Sequence, residues 1–153
     1  METEDKELLL KDLCARLPYN VIVHGVCANQ NFDFDTESDY IEYKEFDDVL
    51  TLLDIEWVQM CVAEVKPYLF PLSSMTEEQF EELKAFAGLT YEGNTLELVE
   101  WDSTCDKTLE FWLEEIPSYC VIKVFDWFNA HHFDYRSLIE KGLAIDCTDL
   151  KIY

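Results

Sequence analysis

The sequence predicts an α+β fold. A single domain over residues 1–153 is expected, with a mainly antiparallel sheet of about four to six strands, three helices and a short capped C-terminal helix. Apolar residues recur at three- and four-residue steps in 4–17, 76–87 and 117–131. Short β-branched runs lie elsewhere between turn-forming residues, and no repeat, linker or low-complexity tract divides the chain.

Leu8, Leu9, Leu13 and Leu17 keep helical spacing from a capping candidate at Thr3 or Asp5 to Pro18, so 4–17 reads as the first helix. Its acid-rich start suits the positive end of the helix dipole. Residues 20–27, NVIVHGVC, read as a strand that contains His24. The acids that follow repel one another, which favours an exposed segment or an edge hairpin, with Tyr40, Ile41 and Tyr43 in a short edge strand.

Residues 49–55 and 57–62 read as two strands turning near Asp54 and Glu56; one helix through both is the competing reading. Pro67 and Pro71 mark an irregular segment, because neither offers an N–H to a ladder or a helix. The next helix, 76–87, is written more fully. Thr76 and Gln79 have capping-box spacing, Met75 and Phe80 have staple spacing, Phe80, Leu83 and Ala87 form its apolar face, and Gly88 ends it. Further strands are expected at 89–91, 95–101 and 109–113, with Glu92, Gly93 and Asn94 as a turn.

The best-specified stretch is 121–144. Val121, Val124, Phe125 and Phe128 share one helix face, opposite a polar stripe of Lys123, Asp126 and Asn129. Asp134 stands where it can cap a helix over 135–141, Phe133 and Leu138 have staple spacing, and Gly142 followed by Leu143 suits a left-handed stop.

Composition narrows the function. With 33 Asp and Glu against 11 Lys and Arg, the net charge is -22, which opposes direct contact with nucleic-acid phosphate or an anionic membrane. The expected partner is a basic protein. The start METEDKE carries acid where a signal peptide needs positive charge, and no apolar run reaches the roughly 20 residues of a membrane span, so a cytoplasmic protein is expected. Cys14, Cys27, Cys61, Cys105, Cys120 and Cys147 show no CxxC pair and read as reduced cysteines, several of them buried.

The segments LLLKDLCARLPY, KPYLFPLSSMTEEQ and FDWFNAHHFDYRSLIEKGLA resemble signature segments of an uncharacterised family of small proteins from gut Bacteroidetes and their phages or integrated elements. The resemblance spans both ends and the middle of the chain. It implies a bacterial or phage cytoplasmic protein and brings no activity, substrate or catalytic residue.

Two chemistries compete for the function. Asp33, Asp35, Glu37, Asp39, Glu42, Glu45, Asp47 and Asp48 form an acidic run suited to binding a basic partner. A specific version is imitation of DNA phosphate spacing to occupy a basic host protein; the plain alternative is acidity that serves only solubility. The run opens like an EF-hand loop, but Ser38 replaces the turn glycine and Lys44 the closing glutamate, so no metal site is expected there. The second chemistry is a small metal-assisted or acid/base enzyme using His131 and His132 with Asp126 and Asp134. Adjacent histidines diverge by roughly 100° on a helix and serve one ion poorly. No GxGxxG, GxxxxGK[ST] or GxSxG motif is present, so no cofactor is expected and a non-enzymatic binding or accessory protein is the leading reading.

Overall fold

A computed structural model of the protein describes residues 2–33, 38–87 and 120–153. Among them helix α1 (Thr3–Arg16) leads through a 3-10 turn at Leu17–Tyr19 into strands β1 (Ile22–Asp33) and β2 (Ser38–Val49). Helix α2 (Leu52–Met60), strand β3 (Ala63–Pro71), a 3-10 turn at Leu72–Ser74 and helix α3 (Glu77–Ala87) follow. Helix α4 (Val121–Ala130) and the short strands β4 (Phe133–Asp134) and β5 (Ile145–Asp146) complete the described chain. No helix among the described residues is long and apolar enough to cross a membrane.

The α+β class holds, with a mixed, mostly antiparallel sheet of five strands. β1 pairs antiparallel with β2 on one side and with β3 on the other, and β3 pairs parallel with β4 and β5. The strands expected at 89–91, 95–101 and 109–113, the turn at 92–94, the stop at Gly88 and residues 117–119 of the helix expected at 117–131 lie outside the described residues.

Among the described residues two apolar clusters form the core. Leu72, Met75, Phe80, Leu83, Val124, Trp127, Phe128 and Phe133 pack α3 against α4 and β4. Leu9, Leu13, Val21, Val23, Val58, Val65, Leu69 and Leu138 pack α1 and α2 on the sheet. Leu13, Phe128 and Leu138 are fully buried, a stabilisation of about 1.5–3 kcal/mol for each such side chain.

Where the clusters meet sits Arg16, itself fully buried. Its Nε donates to Asp12 Oδ2 at 2.7 Å, one helical turn back, and its Nη2 donates to the Phe133 carbonyl of β4 at 2.7 Å. The guanidinium lies 5.4 Å from the centre of the Tyr135 ring, and Arg136 lies 4.9 Å from the same ring. The Tyr135 hydroxyl donates to Asn129 Oδ1 at 3.1 Å, so Asn129 is buried and not part of an exposed polar stripe.

Four expectations are corrected. Helix α1 starts at Thr3 behind Glu2, without a side-chain cap from Thr3 or Asp5. Residues 52–60 form one helix and not two strands. The Thr51 N–H and hydroxyl both donate to Asp54 Oδ2, at 2.7 and 2.6 Å, so Asp54 starts a helix where a turn was expected. The helix stops with Cys61 at φ 58, where Val62 N–H reaches the Trp57 carbonyl at 3.0 Å and Cys61 N–H the Val58 carbonyl at 3.1 Å.

The Pro67–Pro71 segment is a strand. Pro67 is the last β3 residue paired with β1, opposite Val23, so the missing N–H falls at the end of that ladder. The helix expected at 135–141 is instead a set of turns, because Ser137 takes φ 56. Asp134 still caps, accepting from the N–H groups of Arg136, Leu138 and Ile139 at 2.8 to 3.2 Å. Gly142 at φ 69 still closes the last turn, with Leu143 N–H on the Leu138 carbonyl at 2.8 Å. The staple pair separates, Phe133 to one cluster and Leu138 to the other.

The Asp12–Arg16 pair yields a direct test. Asp12→Ala leaves a buried guanidinium without its counter-charge and is expected to cost about 3–5 kcal/mol in urea unfolding. A loss below about 1 kcal/mol would show that Asp12 does not hold Arg16.

Candidate functional site

The acidic run lies mainly on a hairpin. β1 and β2 pair from Ile22↔Val49 to Asp33↔Ser38, while β3 covers the far side of β1 only from Val23 to Cys27. From Ala28↔Tyr43 outward the hairpin is therefore a two-stranded ribbon among the described residues. Asp33 ends β1; Asp35 and Glu37 lie outside the described residues. Asp39, Glu42, Glu45, Asp47 and Asp48 all sit on β2 and are exposed. The expected short edge strand at Tyr40, Ile41 and Tyr43 is thus the middle of a longer one.

Successive strand side chains point to opposite faces, so Asp39, Glu45 and Asp47 share one face and Glu42 and Asp48 the other. Between them stand Tyr40, Ile41 and Tyr43, which are 49%, 60% and 71% exposed. On the inner face Phe46 packs against the α2-side cluster, edge-on to Trp57, and its ring lies over Gly25, where an added Cβ would stand 2.0 Å from the ring.

Not all five acids are available to a partner. Asp47 Oδ1 accepts from the Tyr68 hydroxyl at 2.8 Å and from His24 Nδ1 at 2.9 Å, tying β2 to β1 and β3. The hydrogen bond from Tyr68, and then that from His24, hold the Asp47 carboxyl below the usual carboxylate range. Burial, and then the bond to Asp47, push the Tyr68 phenol up to about 12. Glu42 accepts from Asn31 Nδ2 at 3.1 Å across the ribbon. Glu45 stands opposite Val26.

The two histidines on which the alternative enzyme reading draws turn to different partners. His131 caps α4: its Nδ1 lies 3.0 Å from the Trp127 carbonyl, its ring stacks on Trp127 at 4.0 Å, and its Nε2 lies 3.3 Å from Glu82. His132 takes φ 60 and stacks instead on Tyr153 at 4.0 Å. Asp126 accepts from the Tyr19 hydroxyl at 3.3 Å, and Asp134 is spent on its cap. Among the described residues no group of three His, Cys, Asp or Glu side chains stands close enough to hold a metal ion.

Two cavities can be described, and neither is lined by a histidine. One, of about 270 Å³, lies between α1, α2, the start of β3 and the 141–143 turn. The other, of about 450 Å³, is a groove where β3 begins and the ribbon leaves the sheet. Val26, Ala28 and Tyr43 form one wall of it, Val58, Val62 and Ala63 the other. At its rim Lys6 Nζ donates to the Gln59 carbonyl at 2.6 Å and lies 3.0 Å from Cys61 Sγ. The described cysteines are free; Cys120 and Cys147 are buried, Cys27 is half-buried, and Cys14 and Cys61 are exposed. Burial pushes the Cys147 thiol up to about 11, which keeps it protonated and unreactive.

Burial, and then the nearby Arg16 and His131, lower the pKa of His132 to about 4 from an ordinary 6.5. The unfolded chain therefore takes up this proton at higher pH than the folded one, and stability falls as pH drops from about 6.5 toward 4. His132→Asn keeps a residue type that tolerates positive φ and removes the titration. Its urea midpoint is expected to shift less than that of the natural protein between pH 7 and pH 5; equal shifts would clear His132 of the effect.

Comparison of the chain with protein-family models, with curated proteins and with solved structures finds no significant match in any of the three.

Proposed function

We propose that this protein is a non-enzymatic binding protein whose contact surface is the acidic β1–β2 hairpin and whose partner is a basic protein. The observation that carries the reading is β2 itself. It is a twelve-residue strand, exposed over 39–45 and 47–49, with five acids after Ser38, Lys44 as its one cation, and Tyr40, Ile41 and Tyr43 exposed among the acids. Tyrosine is enriched at recognition surfaces, and a net charge of -22 steers a cationic partner toward this one.

Imitation of duplex phosphate would call for acids along one face. On β2 they alternate between faces, which favours recognition of a single basic segment. Among the described residues His131 and His132 stack on different rings, Trp127 and Tyr153, which does not favour the enzyme reading. The likeness of the terminal and central segments to small bacterial and phage proteins fits an accessory role in a bacterial cytoplasm.

The test compares the natural chain with a Glu42→Lys, Glu45→Lys, Asp48→Lys variant in capture from bacterial lysate at low and moderate salt. Asp47 is left intact because the fold uses it. One basic protein retained at moderate salt by the natural chain and lost by the variant is the expected outcome. Many basic proteins at low salt and none at moderate salt would reduce the acidity to ion exchange and remove the reading.

A further inference from the structure

The hairpin presents more than charge. Beyond Cys27 the edge of β1 that β3 covers earlier has no partner among the described residues, and Ala28 and Asn29 are exposed. Alternate residues of such an edge turn a backbone N–H and C=O outward to an incoming strand, while those between them face β2. The groove of about 450 Å³ opens at this point, in line with β3 and walled by Ala28, Tyr43 and Val62. A strand continuing the line of β3 would place an apolar side chain in it.

We propose that an extended segment of the basic partner adds as a strand to β1 from Ala28 toward Asp33, with an apolar side chain seated against Tyr43 and Val62. The proposal rests on the binding reading above and names the mode and the chemistry of the partner. One face of the added strand meets Ala28, with Tyr43 beyond it; the other meets Asn29, with Glu42 beyond it. Glu42 is two strand spacings away, about 10 Å, which a lysine or arginine stem crosses. The segment thus alternates apolar with basic residues. A second copy of this chain is a poor occupant, because it would set one net charge of -22 against another.

The probe is an acetylated, amidated peptide of four Lys-Val repeats, followed by amide shifts of the full-length protein at low salt. Shifts are expected at Ala28 to Asn31 and at Tyr43. Full N-methylation of the peptide keeps its charge but removes its backbone donors, and binding should weaken at least tenfold. Val62→Trp fills the groove and should weaken the unmodified peptide similarly; the methylated peptide makes the test independent of whether that variant folds. Equal binding of both peptides, or shifts confined to β2, would overturn strand addition while leaving an acidic contact surface. Failure of both peptides to bind would remove the acidic-surface reading as well, and a Glu-Val peptide binding equally would remove the charge argument.

Discussion

Arg16 is the interaction on which the two halves of this structure depend. A guanidinium with no solvent exposure carries a desolvation penalty of several kcal/mol, and only tightly placed partners offset it. Asp12 supplies the counter-charge from the same helix, the Phe133 carbonyl supplies an acceptor from β4, and the Tyr135 ring supplies a π face. Those partners belong to opposite sides of the molecule: α1 lies with the sheet cluster, and Phe133 and Tyr135 lie with the α3–α4 cluster. An apolar residue in place of Arg16 would still fill the space, but it would not fix how α1 sits over the turn that follows α4.

The parts of the fold legible in the sequence are those whose signals are local. Thr76 and Gln79 exchange both expected bonds, Thr76 N–H to Gln79 Oε1 at 2.9 Å and Gln79 N–H to Thr76 Oγ1 at 3.2 Å. Asp134 and Gly142 likewise do what their types and spacing imply. Helix α2 was obscured because it ends on a cysteine in the left-handed region, where a glycine would have announced the stop, and because Leu52, Leu53 and Met60 are apolar yet exposed. Strand β3 was obscured by its prolines, one of which falls where the ladder with β1 ends and the other where the strand ends, facts of topology and not of spacing.

The candidate site divides the same way. Like charges in a row imply an exposed edge whatever surrounds them, so the placement of Asp39 to Asp48 could be read directly. Which acid is committed to the fold could not. Asp47 looks like its neighbours in sequence, and only the register that sets it opposite His24 and beside Tyr68 singles it out. The groove is assembled from residues as far apart as Lys6 and Ala63, which no motif connects. Asp12 and Arg16 have the four-residue spacing of an ordinary surface ion pair, and nothing in their spacing tells of their burial.

Gly25 bears on all of this from beneath the hairpin. Its missing side chain is the space that the Phe46 ring occupies. A slip of one residue between β1 and β2 would bring that ring against His24 or Val26, whose Cβ atoms leave no such space, and would turn one strand's inward residues outward. A long ribbon with polar residues on both faces has little else to set its alignment. The aromatic ring on its glycine therefore acts as an index mark for the strand: it determines which acids stand on which side of the ribbon and which one reaches His24 and Tyr68.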